Sequence, residues 1–464
     1  MKTQEKILLS ERKEAARLTK MQSRSAGSKY FFILLFLIAV VNILDEVTSN
    51  LTVTVQSSFV TEFFVNNPFM GKYYTYEDGL AFHSSIGVFT YVLGLFTPFY
   101  KALADKWGRK PLFAISTLGM AAGLLIIHLS SSYIMFLAGF AVISFFMGHD
   151  IQIIYILEEA PVKHRAKIYS FLKSFGILGV ILIPTLRDML MGDDSTRWRE
   201  IFLVPALIGF AAVVLVVLLA KDTKVFVNER LEYLAIPYEE RQAAKALQKQ
   251  QKQAQRNQSG VFNGVKYIFA NKDTKILIIS HIIFDAAMPA IALYFESSMH
   301  RAGMSTSEIT KALFMVPVVY ASITFISGFI ADKWGRKTTV TLFSCLCVTG
   351  YALFVAGILL GWNPLLVGSL AGLYQGSYWI GRDYMNVMMT EKVPTDIRAS
   401  VVGAEGLLVI IGLAVGYILT IVGMTLMPIW WACLAVALPA VIVAAVMFTA
   451  RVKETKGANL DDIG

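Results

Sequence analysis

Apolar runs of about 20 residues recur along the whole chain, and they restrict its possible folds more than any other feature of the sequence. A helix of that length crosses the hydrocarbon core of a bilayer, and it satisfies its own backbone hydrogen bonds there. The runs lie near residues 30–53, 80–100, 112–129, 133–157, 168–190, 201–220, 276–297, 309–330, 338–360, 365–389, 401–422 and 428–450. The chain is therefore predicted to be an all-α integral membrane protein with twelve transmembrane helices.

Composition agrees with a membrane protein and excludes several other classes. Of the 464 residues, 56% are hydrophobic and 16% are charged, which is too apolar for an ordinary soluble protein. We therefore expect lipid around the chain, and we interpret its net charge of +9 by location rather than as a sign of nucleic-acid binding. Cys345, Cys347 and Cys433 lie in apolar runs, which favours inert core thiols. No pattern of a nucleophile with its base, of a phosphate loop or of metal ligands is recognisable, so we expect neither an enzyme nor a cofactor nor a metal site.

Two stretches of sequence occur twice in the chain. The sequence GHDIQIIYILEEAPVKHRA at 148–166 shares Gly, Asp, Glu, Pro, Arg and Ala in register with GRDYMNVMMTEKVPTDIRA at 381–399. Upstream, ADKWGRK occurs at 104–110 and again at 331–337. A repeat of this kind indicates two homologous halves in the same order. The twelve helices are thus predicted to form two pseudo-symmetric six-helix bundles.

Lysine and arginine collect on one side of the predicted spans, here called the basic side. It includes both ADKWGRK loops and both chain ends, whereas the loops of the opposite side are short and nearly uncharged or carry acids. By the positive-inside rule, a multi-pass protein of the plasma (inner) membrane with both termini in the cytoplasm is predicted. The predicted parts are an N-terminal tail (1–29), a first bundle (30–220), a cytoplasmic linker (221–275), a second bundle (276–450) and a C-terminal tail (451–464).

The ionisable residues that stand out within the spans lie in the first and fourth helices of each half, with Lys173 in the fifth helix and Glu405 in the eleventh. Such residues are costly in a bilayer and mark substrate or proton pathways, which repeat-built transporters place near the membrane midplane. The predicted pathway consists of Asp45, Glu46, His149, Asp150, Asp285, Arg382 and Asp383. Asp150 is the first candidate for the proton carrier. The alternative is a structural role, such as an ion pair of Asp150 with Lys173. Lys173 and Glu405 occupy nearly equivalent places in the two halves and either line the cavity or form structural ion pairs.

The duplicated motifs resemble those of a known family. GFIADKWGRK at 328–337 resembles the loop signature of the major facilitator superfamily, Gly-x-x-x-Asp-Arg/Lys-x-Gly-Arg/Lys-Arg/Lys, and Glu-x-x-Pro-x-x-x-Arg after the fourth and tenth helices is similar to its companion motif in the sugar-porter and organic-ion branches. The resemblance covers nearly the whole chain. It implies two bundles around a central cavity, alternating access, and charge clusters that hold an inner gate shut. The implied gating residues are Asp105, Arg109, Glu158, Arg165, Asp332, Arg336, Glu391 and Arg398.

Two departures from the family pattern bear on function. Lys101 stands where the first copy of the loop signature has Gly, and a long cation prevents the close helix contact that glycine allows. The inner gate is therefore expected to pack differently around Lys101. The seventh helix, SHIIFDAAMPAIALYFESS, lacks the Gln-Gln-x-Ser-Gly pattern with which sugar porters bind hydroxyl groups. This argues against a hexose as substrate.

Together these features predict a monomeric secondary transporter that couples uptake of a small polar organic solute to protons by alternating access. The alternative is a proton-coupled antiporter that exports drugs or amphiphilic metabolites, and it uses the same acids. A channel or a transport-like sensor is the third reading. Matched charge clusters at two gates suit a two-state transporter better than an open pore.

Orientation can be tested with single cysteines at Ser195 and Ser259, in a variant that lacks Cys345, Cys347 and Cys433. Ser195 follows the fifth predicted helix and Ser259 lies in the linker. An impermeant thiol reagent added to whole cells is expected to label Ser195→Cys and to spare Ser259→Cys, because the basic linker stays inside. Both should label in lysed cells. Labelling of Ser259→Cys alone in intact cells would overturn the orientation.

Overall fold

The computed structural model describes residues 2–22, 28–94, 107–147, 155, 158–159, 165–238, 240–241, 261–394 and 397–455. These residues are overwhelmingly helical, and the sole β-bridge among them joins Phe69 to Lys72. The prediction of an all-α chain is confirmed.

Ten α-helices belong to the described part of residues 1–260. They are α1 (Lys2–Gln22), α2 (Ser28–Leu51), α3 (Gln56–Val60), α4 (Tyr76–Gly94), α5 (Arg109–His128), α6 (Tyr133–Met147), α7 (Arg165–Gly179), α8 (Leu182–Leu186), α9 (Glu200–Leu219) and α10 (Lys224–Ala235). Short 3₁₀ or π-helical turns occupy Val53–Val55, Thr61–Asn66, Arg187–Met191 and Ser195–Arg199.

Nine α-helices follow from residue 261 onward in the described ranges. They are α11 (Val261–Ala270), α12 (Lys272–Asp285), α13 (Met288–Ala292), α14 (Phe295–Arg301), α15 (Thr306–Trp334), α16 (Arg336–Leu359), α17 (Pro364–Glu391), α18 (Arg398–Leu426) and α19 (Ile429–Arg451).

Seven helices in the described residues are long and apolar enough to cross a membrane. They lie at Tyr30–Leu51, Arg109–His128, Ser195–Leu219, Thr306–Trp334, Arg336–Leu359, Ser400–Leu426 and Ile429–Arg451, and α6 is a shorter apolar helix. Each falls on a predicted span. The predicted spans near 80–100 and 133–157 continue into residues outside the described ranges.

The seventh predicted span is not one helix. Residues 276–297 are divided among α12, α13 and α14, and α12 ends at Asp285. Pro289 lies in the first turn of α13. Because proline has no amide hydrogen, it cannot donate to the carbonyl of residue 285 four positions earlier, and its ring crowds that carbonyl. The break therefore has a local cause, and it places an acidic side chain at the end of a helix inside the span.

A seam of glycines holds this broken span against α18. A methyl group added to Gly412 would lie 1.9 Å from the carbonyl oxygen of Ile282, and one added to Gly416 would lie 2.0 Å from that of Ala286. The two helices thus touch backbone to backbone, as helices with a small-xxx-small pattern do. The seam covers the end of α12 itself.

Close contacts divide the chain into two compact units. One contains residues 1–49, 90–179 and 202–257, and the other contains 50–89, 180–201 and 258–464. In the first unit, α1 pairs with α10 through Glu14–Arg230 (2.8 Å) and with the segment after α10 through Glu11–Arg241 (2.6 Å). Parts of the predicted tail and linker are thus ordered helices. The boundaries predicted for the two bundles stay a prediction.

Gly416→Ala is expected to destabilise the protein by about 1–3 kcal/mol, because the added methyl meets a backbone atom that cannot rotate away. Gly406→Ala is the matched control, since it lies on α18 with open space around it. There, alanine should be neutral or stabilising, because glycine is the poorer helix former by about 1 kcal/mol. Thermal unfolding of both purified variants measures the difference. Equal melting temperatures would show that the seam tolerates a side chain.

Candidate functional site

The first-half part of the predicted pathway is described only for Asp45 and Glu46. They are adjacent in α2, and both are partly exposed. A methyl group on Gly176 of α7 would lie 3.3 Å from Cγ of Glu46, so Glu46 lies at the contact between α2 and α7. His149 and Asp150 lie outside the described residues.

The second-half part of the pathway forms a buried ion pair. Asp285 is 3% exposed, and Arg382 on α17 donates from Nε to its two carboxylate oxygens at 2.8 and 3.1 Å. The hydroxyl of Tyr378 donates to the same carboxylate at 2.9 Å. Tyr378 and Arg382 are four residues apart and so share one face of α17. Asp383 is exposed and points about 100° away from Arg382 around the helix. Two of the three second-half residues are thus brought together.

Two further ionisable residues extend this pair. His281 lies one turn before Asp285 on α12, and its Nδ1 is 3.0 Å from Oε1 of Glu405 on α18. Its Nε2 is 3.9 Å from Oδ1 of Asp285. His281 is fully buried and Glu405 is 3% exposed. We call His281, Asp285, Tyr378, Arg382 and Glu405 the buried ionisable cluster.

Sequence reasoning passed over His281 and left the role of Glu405 open. The signal for His281 was its spacing, because residues four apart on a helix face the same neighbour and Asp285 was already a candidate. The partner of Glu405 proves to be His281. That contact joins two different helices, and residue spacing does not reveal which pair of helices meets.

Position and aromatic packing suit the cluster to a polar ligand. Asp285 lies nine residues after the start of its predicted span, about 14 Å along a helix, near the middle of the hydrocarbon core. The ring of Phe284 stacks on Tyr378 at 5.0 Å, and the guanidinium of Arg382 lies 5.4 Å from the ring of Trp379. The side chain of Arg382 is 27% exposed, against 4% for Asp285. Arg382 is therefore the more exposed partner of this ion pair.

Two of the four predicted gating residues of the first half, Arg109 and Glu158, form an ion pair. Arg109 donates to both oxygens of Glu158 from Nε, at 3.1 and 3.2 Å, and from Nη2 at 2.7 Å. Thr223 donates to the same carboxylate. Asp105 lies outside the described residues, as does the side chain of Arg165, whose backbone begins α7.

A second carboxylate caps the loop that carries Arg109. Asp222 accepts from the amide of Lys110 at 2.9 Å, and a methyl group on Gly108, whose φ is +99°, would lie 2.5 Å from Asp222. Glycine is therefore required there for both its conformation and its size. Burial raises the pKa of Asp222, and the Lys110 amide and charge act in the opposite direction.

The second half repeats this arrangement. Arg336 approaches Glu391 at 3.4 Å and Asp332 at 3.6 Å, and Thr455 donates to Glu391. Glu454 accepts from the amides of Arg336 and Lys337 at 2.9 and 3.0 Å. Arg398 begins α18, and its side chain lies outside the description.

Sequence reasoning missed the acid and threonine pairs at 222–223 and 454–455. The signal was present as a third repeat, KDTK at 221–224 and KETK at 453–456, whose step of 232 residues is close to the 233 of the longer motif. This third repeat went unrecognised because each copy follows the last span of its half. The two copies lie in stretches assigned to the linker and to the C-terminal tail.

A second buried network lies at the ends of the first and seventh predicted spans, on the side opposite the basic side. Glu296 is fully buried and accepts from the amide and hydroxyl of Ser57 at 2.9 and 2.5 Å. Arg187, 1% exposed, donates to Oγ1 of Thr310 at 3.2 Å and to the carbonyl of Thr54. This opposite-side network connects first-half residues to second-half residues within one compact unit.

These features define a multi-pass membrane transporter rather than an enzyme, and sequence comparison gives its family. The sequence profile described as Major Facilitator Superfamily matches residues 35–416. The chain belongs to that superfamily, and the prediction of its twelve-helix, two-bundle fold is confirmed.

Individual relatives are distant and differ in what they carry. The chain is 23% identical over 313 residues to the tetracycline resistance protein, class H, of Pasteurella multocida, covering 66% of this chain and 69% of that protein. It is 22% identical over 385 residues to the glucose transporter GlcP of Staphylococcus epidermidis, covering 78% and 83%. The crystal structure of a D-xylose–proton symporter superposes with a TM-score of 0.67 at 16% identity, covering 92% of this chain and 99% of that one.

Proposed function

We propose that this protein takes up a small polar organic solute together with protons, by alternating access and as a monomer in the plasma membrane with both termini in the cytoplasm. The observation that carries the proposal is the buried ionisable cluster on α12, α17 and α18. Ionisable groups within membrane spans are costly and are kept for pathways and relays. Their place beside a broken helix near the middle of a span is where repeat-built transporters bind solutes and ions.

Arg382 is the proposed solute-binding residue. Its side chain is the exposed member of the cluster, and a guanidinium offers five N–H donors in a fixed plane. A solute oxygen that accepts from Arg382 competes with Asp285 for those donors. Binding of the solute is therefore sensitive to the charge of the acids behind Arg382, which is the property that coupling to protons needs.

The two sets of polar contacts near the membrane surfaces supply the two gates in this proposal. The opposite-side network, with Glu296 and Arg187 both buried, supports a state in which the opposite side is closed. The clusters around Glu158 and Glu391 lie on the basic side, and in this proposal they favour the alternative state. A transition between two such states needs a difference of only a few kcal/mol.

Export in exchange for protons is the second candidate. The tetracycline resistance protein covers two thirds of this chain at 23% identity, which favours this direction as much as the sugar relatives favour uptake. The experiment that separates the two is the sign of proton movement. A solute found by thermal shift against metabolite panels is added to proteoliposomes in weak buffer. Alkalinisation outside indicates symport, and acidification indicates antiport. An unchanged pH outside the vesicles would contradict both proton symport and proton antiport.

Arg382→Gln is expected to abolish the thermal shift caused by the solute, because the replacement removes the charge and most donors that it meets. Lys266→Gln is the control: it removes the charge of an exposed residue on α11, outside the buried ionisable cluster, and it should keep the shift. Isothermal titration of both purified variants gives the affinities. Equal affinities for Arg382→Gln and the wild type would place the solute elsewhere.

Glu158→Gln and Glu391→Gln test the gating clusters. Each removes a charge that pairs with Arg109 or Arg336, and we expect turnover to fall far more than equilibrium binding, since the solute site is untouched. Asp105→Asn is expected to behave likewise. Transport rates and binding affinities of the same preparations measure the effect. A variant that loses binding in proportion to transport would contradict the gating role.

A further inference from the structure

The pair His281 and Glu405 is the part of the buried cluster that a solute does not reach. Both side chains are nearly inaccessible, at 0% and 3%. The 3.0 Å contact between Nδ1 and Oε1 is a hydrogen bond. At Nε2, no hydrogen-bond partner is found among the described residues. The nearest carboxylate, Asp285, is 3.9 Å from this nitrogen.

The charges of the cluster do not balance without an added proton. Asp285 and Glu405 carry two negative charges when ionised, and Arg382 carries one positive charge. A neutral His281 that donates from Nδ1 to Glu405 leaves the cluster with one excess negative charge. An uncompensated charge in a buried site is strongly unfavourable. One proton on Nε2 removes the excess and creates a donor 3.9 Å from Oδ1 of Asp285.

We propose that His281 and Glu405, with Asp285, form the site that binds the transported proton. The inference rests on the proposed proton coupling and assigns it to residues of α12 and α18. In the loaded state, the imidazolium lies between the carboxylates of Glu405 and Asp285. In the empty state, the neutral ring holds Glu405 alone.

Other groups around the site do not supply this charge. The charges that act on Glu405 are those of His281, Arg382 and Asp285, and Tyr378 and Asp383 act on Arg382. The remaining helices that pack on α12 add little. On α11, Lys266 is exposed; α13 has no ionisable side chain; and α19 carries Cys433 and, at its end, Arg451. His281 is therefore the one histidine in the described cluster, and a proton on it brings the net charge of the cluster to zero.

The glycine seam gives the site its link to the solute. Glu405, Gly412 and Gly416 are spaced by seven and four residues, so they share the face of α18 that touches α12. The hydrogen bond to His281 thus continues a backbone contact that fixes both helices. Protonated His281 attracts Asp285, which weakens its hold on Arg382 and frees guanidinium donors for a solute oxygen. Proton and solute then favour each other's binding, as a symporter requires.

The proton site can be observed directly by nitrogen NMR of the full chain labelled with ¹⁵N-histidine. The chain has six histidines, and His281→Gln identifies the signal of His281 by its loss. We expect Nε2 of His281 to take up a proton in a single transition as the pH falls. In Glu405→Gln, the cluster is neutral without that proton, so the transition should move to lower pH. Lys266→Gln, a change at an exposed residue of α11, should leave it in place.

Several outcomes would overturn the proposal. A His281 that stays neutral over the whole pH range in which the protein is folded contradicts it, and so does a transition that Glu405→Gln does not move. If His281→Gln fails to fold, replacing each of the other five histidines assigns the signal by elimination.

Transport measurements keep this proposal distinct from the proposed function. If no solute moves protons in wild-type proteoliposomes, the proposed proton coupling is contradicted. The protonation of His281 measured by NMR is not affected by that outcome. If wild-type protein couples, Glu405→Gln and His281→Gln should lose gradient-driven accumulation and keep solute exchange, whereas Lys266→Gln, a change at an exposed residue of α11, should keep both. Accumulation that survives in both variants with unchanged pH dependence would move the proton site to Asp150 or Asp45.

Discussion

Charge inside a bilayer must be compensated within the protein, and this constraint explains the second half of the chain better than any single motif. Asp285 is held by Arg382 and Tyr378, and Glu405 is held by His281. Each of these contacts joins two different helices, so charge compensation also sets which helices must be neighbours. The break in the span between α12 and α14 follows the same constraint, since irregular backbone within a membrane occurs where other parts of the protein cover it.

Close backbone contact makes this arrangement possible. The seam of Gly412 and Gly416 brings α18 against Ile282 and Ala286 with no side chain between them. α17 meets α15 in the same way, because a methyl group on Gly368 would lie 1.9 Å from the carbonyl of Ala312. Helices that approach so closely can bring short side chains into hydrogen-bonding distance. Close helix packing at the glycines therefore allows the side chains of the polar cluster to reach one another.

The sequence predicted the class of fold well, because span length, basic loops and a duplicated motif each report on it independently. It also picked out Asp285 and Arg382, since charge within a span is visible without coordinates. The family resemblance implied gating clusters that include Arg109, Glu158, Arg336 and Glu391. It could not show that His281 meets Glu405 or that Arg187 and Glu296 are buried together near Ser57. Those contacts depend on how helices rotate and pack, and no local spacing encodes that. Pro289 was the sequence signal for the helix break at Asp285, but one continuous span was predicted there.

The acid and threonine pairs at the ends of the two halves bear on the order in which the protein is made. Asp222 and Thr223 come directly after α9, and they fasten Lys110 and Glu158, which are synthesised long before them. Glu454 and Thr455 do the same after α19 for Lys337 and Glu391. In each half, the contacts that fix the loop with the last helix form only once that helix has left the ribosome. The contacts of Asp222 and Thr223 can therefore form before the second bundle is synthesised, whereas those of Glu454 and Thr455 need the last helix of the chain.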